Sequence, residues 1–327
     1  MVVDFQHHYV PVELAKKRGL YSEQTTYLHE GGRRATTMHA RLYDLELQLR
    51  DMADAGVDVS VLSCLLGWTA TLEECRLIND DLASVQSQYR GQFIGLAQAP
   101  ILEGRQALRE IDRSIRDLGL RGVTITLQIN GVSLDSPQLF GLYEKARELD
   151  VPIFVHPALA PIGYDLLQDY DLPRVLGREV DLTVATTRLI AGGVLERFPA
   201  LKLVIAHFGG GIAAVKDRLL AKSYRFGTLK RPFGDYFDML YFDLAGFEGS
   251  LAALHCALEG IRPERLLFAS DYPQDFTGVN TDTGKGMGEL RNYIDAVRNL
   301  PLKQRAVEAI LGDTAARLLK IPAPANG

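Results

Sequence analysis

Four short polar signatures close apolar runs along the chain. They are Asp4-Phe5-Gln6-His7-His8, Phe154-Val155-His156-Pro157, Ile205-Ala206-His207-Phe208 followed by Gly209-Gly210-Gly211, and Phe268-Ala269-Ser270-Asp271-Tyr272-Pro273. Gln6 and His8 are two apart on an extended run, so their side chains share one side while His7 points to the other. His156 and Asp271 end two further runs. Imidazole and carboxylate together suit zinc or another first-row ion such as manganese. A carboxylate at the end of an apolar strand is costly to bury without a cation, so this constellation predicts a divalent-metal site. His207 precedes three glycines that turn the backbone tightly and leave space beside the imidazole. It is expected to move a proton as general acid or base. The alternative makes it a further ligand, or a group that supports one, with the glycines merely opening a helix.

Such residues meet only if the runs that carry them lie side by side. Eight β-rich runs recur: Val2 to Gln6, Val57 to Ser63, Phe93 to Ala97, Gly122 to Thr126, Pro152 to His156, Lys202 to His207, Leu240 to Leu244, and Arg265 to Asp271. Between them apolar residues fall at helical spacing, as in Leu45, Leu49, Met52 and Ala53. Glycines at Ala55-Gly56, Leu118-Gly119 and Glu259-Gly260 mark helix stops. Alternating strand and helix imply a parallel α/β sheet, and eight strands imply a closed (β/α)8 TIM barrel with its site at the C-terminal strand ends. No linker or low-complexity tract interrupts the chain before the tail from Pro322, so one domain over 1–327 is expected. Two connections are longer than a barrel needs, from His8 to about Leu42 and from Pro157 to about Val180, and these should build the pocket. The substrate-binding candidates are Arg33, Arg34 and Arg41 in the first and Tyr164 in the second, which also contains Tyr170 and Arg174, with Trp68 walling a planar ligand just past the second strand. His255 and Cys256 read as structural, and His29 and His39 as loop residues.

The 327 residues are 47% apolar and 24% charged, with 36 basic and 41 acidic side chains and no charged blocks. That balance argues against a nucleic-acid or membrane partner and for a small-molecule one. Cys64, Cys75 and Cys256 are odd in number and lack CxxC spacing, which excludes a disulfide framework and fits a reducing cytoplasm. The first residues read as the first strand, and no stretch approaches the roughly 18 apolar residues of a membrane span.

The four signatures, with Met52-Ala53-Asp54-Ala55-Gly56-Val57-Asp58, Arg76-Leu77-Ile78-Asn79-Asp80 and Gly192-Gly193-Val194-Leu195-Glu196-Arg197-Phe198-Pro199, resemble the amidohydrolase superfamily. The resemblance runs nearly end to end. It lies in the branch with aminocarboxymuconate semialdehyde, γ-resorcylate and 5-carboxyvanillate decarboxylases. It implies a barrel of the metal-dependent hydrolase type, with His8, His156 and Asp271 as ligands and His207, with Asp271, as catalytic groups. Gln6 stands where the family has its first histidine and offers only a weak carbonyl donor. The fourth run, Gly122-Val123-Thr124-Ile125-Thr126, lacks the lysine of two-metal members, so a single ion is implied, zinc first and manganese second. The implied activity is non-oxidative decarboxylation of an aromatic or unsaturated carboxylic acid. Hydrolysis of a lactone or ester, hydration of an unsaturated acid, and a non-catalytic barrel are the alternatives. A homodimer is implied by the same resemblance.

Overall fold

A computed structural model of the chain describes residues 1–22, 24–30, 32–159, 161–227, 229–276 and 286–322, with the side chain of Arg33 outside the description. Eight parallel strands follow one another in one sheet: β1 (Val3–His8), β2 (Val59–Ser63), β3 (Phe93–Ala97), β4 (Gly122–Thr126), β5 (Ile153–His156), β6 (Leu203–Ile205), β7 (Tyr241–Asp243) and β8 (Leu266–Leu267). The ends meet, because Phe5 N donates to Phe268 O (3.0 Å) and His8 N to Tyr272 O (2.7 Å). A parallel bridge between His7 and Tyr272 completes the barrel. The first six strands are buried along their whole length, as strands covered on both faces must be.

Helices cover the outside, among them α1 (Leu45–Ala55), α2 (Leu72–Gln88), α3 (Arg105–Arg116), α4 (Phe140–Leu149), α5 (Arg178–Ala191), α6 (Lys216–Lys222), α7 (Leu251–Gly260) and α8 (Met287–Arg298). Their boundaries follow from local chemistry. Asp44 accepts from Leu47 N (2.9 Å) to start α1, and Gly56, at φ 81°, ends it. Thr71 and Glu74 form a reciprocal capping box on α2. No described helix is long and apolar enough to cross a membrane.

Three particulars differ from the sequence reading. The last three strands are shorter than their apolar runs, because His207 (φ 52°) and Asp271 (φ 56°) lie beyond the ladder in left-handed conformations. Asp243 Oδ1 replaces ladder bonds there, accepting from His207 N (2.7 Å) and Ala245 N (3.1 Å). Gly260 closes α7 without a left-handed turn; a Cβ there would lie 3.1 Å from that of Ala213, so close packing explains the residue. His255 and Cys256 sit on the exposed face of α7, outside the core.

Both long connections are structured. The first carries a short helix, Val12–Lys17, and an antiparallel hairpin of Thr26–Glu30 with Arg33–Met38. The second passes through a turn at Asp165–Leu167 and a π-helical turn at Pro173–Gly177 into α5, so Arg178 and Glu179 belong to the first turn of a helix.

Candidate metal centre and active site

At the C-terminal end of the barrel, β1, β5 and the segment after β8 bring His8, His156 and Asp271 together, one donor atom of each within 4.8 Å of the others. Asp271 Oδ1 is the hub. It lies 2.9 Å from His8 Nε2, 4.0 Å from His156 Nε2 and 2.5 Å from Gln6 Nε2, which donates to it. His8 Nδ1 is 3.0 Å from Ser63 Oγ on β2, and His156 Nδ1 is 2.8 Å from the carbonyl of Pro157. A carbonyl only accepts, so Nδ1 of His156 carries the proton and Nε2 presents a lone pair.

Among the described residues that buried Nε2 has no hydrogen-bond partner, and 4.0 Å to Asp271 is too long for one. Burial, reinforced by His8 and His207, pushes the His156 imidazole down to about 3 despite Asp271. A neutral, oriented imidazole beside a carboxylate is the state a divalent cation requires of its ligands. Asp271 is held well below the usual carboxylate range: burial opposes this, but the nearby His156, the hydrogen bond with His8 and the charge of His8 and His207 prevail. The donor set thus fits a divalent ion.

Beside this cluster His207 Nδ1 meets Glu179 Oε1 at 2.9 Å, and its Nε2 lies 3.2 Å from Gln6 Nε2. Burial alone would lower the His207 pKa, but Glu179, Asp271 and Asp243 outweigh it and push it up to about 9. Gln6 Nε2 thus faces both groups, with one N–H on Asp271 Oδ1 and the other able to donate to the neutral ring of His207.

The glycines deliver Glu179. Gly210, at φ 68°, packs so closely on α5 that a Cβ would stand 1.9 Å from Glu179 O. Gly246 lies under the ring of His207, where a Cβ would be 2.2 Å from Nδ1. Gly210→Ala is therefore expected to lower stability by roughly 2–4 kcal/mol and to part His207 from Glu179. Thermal unfolding and the His207 titration followed by NMR would check this; an unchanged titration would refute the coupling.

A cavity of about 140 Å³ opens over the cluster, lined by His8, His156, His207 and Asp271 and by Thr36, Thr37, Arg174, Arg178, Glu179, Gln274 and Asp275. The sequence profile described as amidohydrolase matches residues 3–321. The chain belongs to the amidohydrolase family.

Among relatives of this amidohydrolase, the 2-amino-3-carboxymuconate-6-semialdehyde decarboxylase of Dictyostelium discoideum is 32% identical over 184 residues, covering 54% of this chain and 51% of that one. The decarboxylase orsB of Emericella nidulans is 31% identical over 215 residues, 62% of this chain and 65% of that one. The chain thus spans between half and two thirds of these curated relatives. A 5-carboxyvanillate decarboxylase from Sphingomonas paucimobilis shares the fold with a TM-score of 0.81 at 25% identity, over 98% of this chain and 99% of that one. A dihydroxybenzoic acid decarboxylase from a Polaromonas species, solved with manganese and 2-nitroresorcinol, gives 0.77 at 22% identity, over 99% of this chain and 98% of that one.

The amidohydrolase barrel brings His8, His156, His207, Asp271 and Gln6 into one cluster. Trp68 stacks on His156 (centroids 4.1 Å apart, 23° between planes) and meets His8 edge-on at 6.0 Å, so it backs the imidazoles. Arg41 is placed elsewhere: its Nε donates to Asp51 Oδ2 (2.8 Å), the oxygen that also accepts from Tyr272 OH (2.7 Å). Arg34 stacks on Tyr27 at 3.8 Å, donates to Thr37 Oγ1 (2.8 Å) and lines a neighbouring cleft of about 400 Å³. Tyr164 donates to Asp181 Oδ1 (2.8 Å), away from the cluster. Tyr170 is exposed, and Arg174 reaches the cavity while tied to Asp171. The side chain of Arg33 lies outside the described residues. Sequence reasoning missed six polar residues of the cavity, Thr36, Thr37, Gln274 and Asp275 and, with most bearing on the chemistry, Arg178 and Glu179. The one signal for Arg178 and Glu179 was position, at the end of the second long connection.

Proposed function

We propose that the protein is a metal-dependent, non-oxidative decarboxylase of an aromatic or unsaturated carboxylic acid. The observation that carries this reading is the unpartnered Nε2 of His156, converging with His8 on Asp271 at a cavity floor that also presents the His207–Glu179 pair. His8, His156 and Asp271 would hold one divalent ion, with Gln6 as a weak further donor. Such an ion supplies a Lewis acid that draws negative charge from the acid's oxygens as it builds. Manganese in a neighbour of the same fold supports manganese beside zinc.

His207 does the proton work. Glu179 holds the ring through Nδ1 and stabilises its charged form, leaving the Nε2 proton for the substrate. As the C–C bond breaks, its electron pair stays on the carbon and carbon dioxide departs. That carbon takes the proton from Nε2, and solvent restores the imidazolium. Leu65, Pro157 and Leu159 supply apolar wall and limit water at the reacting carbon. The decarboxylase relatives support this reading over hydrolysis or hydration. The exposed Leu166, Tyr170 and Val175 within the second connection support the homodimer.

The test is product analysis of manganese- or zinc-loaded protein with hydroxybenzoates and muconate-type acids in deuterated water. The expected result is carbon dioxide with one deuterium on the carbon that lost it. Water addition or ring opening without gas would redirect the reading to a hydratase or hydrolase, and no product from any acid would reject it.

A further inference from the structure

The run Arg76-Leu77-Ile78-Asn79-Asp80 lies on α2 and buries Asn79. The Asn79 amide clasps Gln98 just past β3: its Oδ1 accepts from Gln98 N (2.9 Å) and its Nδ2 donates to Gln98 O (2.9 Å). Nδ2 also donates to Glu110 Oε1 (2.8 Å) on α3, a carboxylate held by Arg113. Gln98 in turn donates from Nε2 to Cys64 O (2.9 Å), at the start of the turn Leu65–Thr69 that follows β2. Gly67 in that turn lies so close to the Gln98 amide that a Cβ would stand 2.1 Å from its Oε1. Arg18, paired with Glu74, adds a further hold on the turn, donating to Leu66 O (3.3 Å) and Thr69 O (3.4 Å).

The residue this clamp presents to the site is Trp68. A buried indole N–H normally finds an acceptor, yet Trp68 Nε1 is sealed from solvent and has none among the described residues. Leaving such a donor unmade costs about 1–3 kcal/mol, so the clamp sets the indole for its face and not for its N–H. That face lies on His156. The rings of His8, Phe154 and His207 meet His156 edge-on at 5.0, 6.0 and 6.1 Å, so among the described residues Trp68 alone lies flat against it. The bond from Nδ1 to Pro157 O fixes one edge of the imidazole but leaves the ring free to turn about that edge, and the stack removes the freedom. Trp68 also walls a separate cleft of about 100 Å³ with Thr126 and Gln128, which His156 does not line.

We infer that Trp68 is a positioning residue for the metal ligand His156, and that Asn79, Gln98 and Gly67 act on the metal centre through it. The flat contact holds the Nε2 lone pair toward Asp271 in advance, so that binding a cation does not have to order the ring. This role rests on the metal reading of His8, His156 and Asp271. It gives the α2 run, no residue of which lines the cavity, a part in the chemistry: the amide pair sets the turn, the turn sets the indole, and the indole sets the imidazole.

Titration calorimetry with manganese on chelator-stripped protein tests this without turnover. Trp68→Leu keeps apolar bulk but no flat ring, and should bind manganese about 10-fold to 100-fold more weakly, the loss expected when a group that orients a ligand is removed. Trp68→Phe restores a ring and should recover most of that loss. Native affinity in Trp68→Leu overturns the positioning role and leaves the metal reading standing, whereas native protein that takes no manganese overturns both. Trp68 is the single tryptophan of the chain, so its emission gives a second readout. Manganese on His156 should quench the stacked indole, and chelator should restore it; native protein that binds manganese with unchanged emission overturns the role. Gln98→Leu loosens the turn, so saturating manganese should quench its emission less than in the native protein. Undiminished quenching there shows that the clamp does not act. If Gln98→Leu fails to fold, Gly67→Ala takes its place, since its methyl drives the turn off the Gln98 amide, and undiminished quenching is again fatal.

Discussion

Asp271→Ala is expected to purify essentially free of metal and to be inactive, with affinity for manganese or zinc lowered by more than about 100-fold. The size of the effect follows from the geometry. Oδ1 of Asp271 is the single atom on which His8, His156 and Gln6 converge, and it is the one anionic donor of the three-residue cluster. Two neutral imidazoles without it leave a cation poorly compensated in a site of low dielectric. Ser63→Ala should act more weakly, about 10-fold to 100-fold, because Ser63 only orients His8. Metal content by mass spectrometry reads both. Thermal unfolding gives a second readout: metal at about 100 times its Kd stabilises the native protein by roughly 2.7 kcal/mol, and the same addition should leave Asp271→Ala unmoved. Retention of stoichiometric metal by Asp271→Ala would show that the ion sits elsewhere.

The barrel and its cluster were legible because both follow from local pattern. Apolar runs ending in His8, His156 and Asp271 announced strands with polar ends, and Gly56 announced the stop of α1. Less legible was whatever depended on where a loop returns. Arg41 sits in the connection expected to reach substrate, yet Asp51 on α1, about one turn before the helix ends, takes its guanidinium. Nothing in its own neighbourhood signals that partner. Glu179 is an ordinary acidic residue in the first turn of a helix, a common preference in itself. Its approach to His207 depends on Gly210 admitting α5 to van der Waals contact, a relation between segments some 30 residues apart. The glycine triplet was visible as a backbone device, but what it makes room for was not.

His207→Asn is expected to lower kcat by about 10²–10⁴-fold, the usual contribution of a positioned proton donor, with metal content intact. The accompanying pH profiles carry the sharper argument. The proton-donating form of His207 is the charged one, so it is populated below its pKa and lost as pH rises through it. In the metal-free fold that point is about 9, set by Glu179, Asp271 and Asp243 against burial. A cation on Asp271 offsets part of this and moves the alkaline limb of kcat from about 9 toward the ordinary histidine value of roughly 6.5. Glu179→Gln removes the largest stabilising charge while keeping an oxygen that can accept from Nδ1, so the limb should shift further down in pH while the rate at low pH changes little. The sign extends to stability. A pKa raised on folding adds stability that is fully present below about 6.5 and fades as pH rises through about 9, so Glu179→Gln should flatten the unfolding profile across that window. His156, held near 3, stays neutral throughout and contributes no limb of its own. If kcat in Glu179→Gln keeps the native alkaline limb, His207 is not the group that delivers the proton, and the assignment passes to another donor in the cavity.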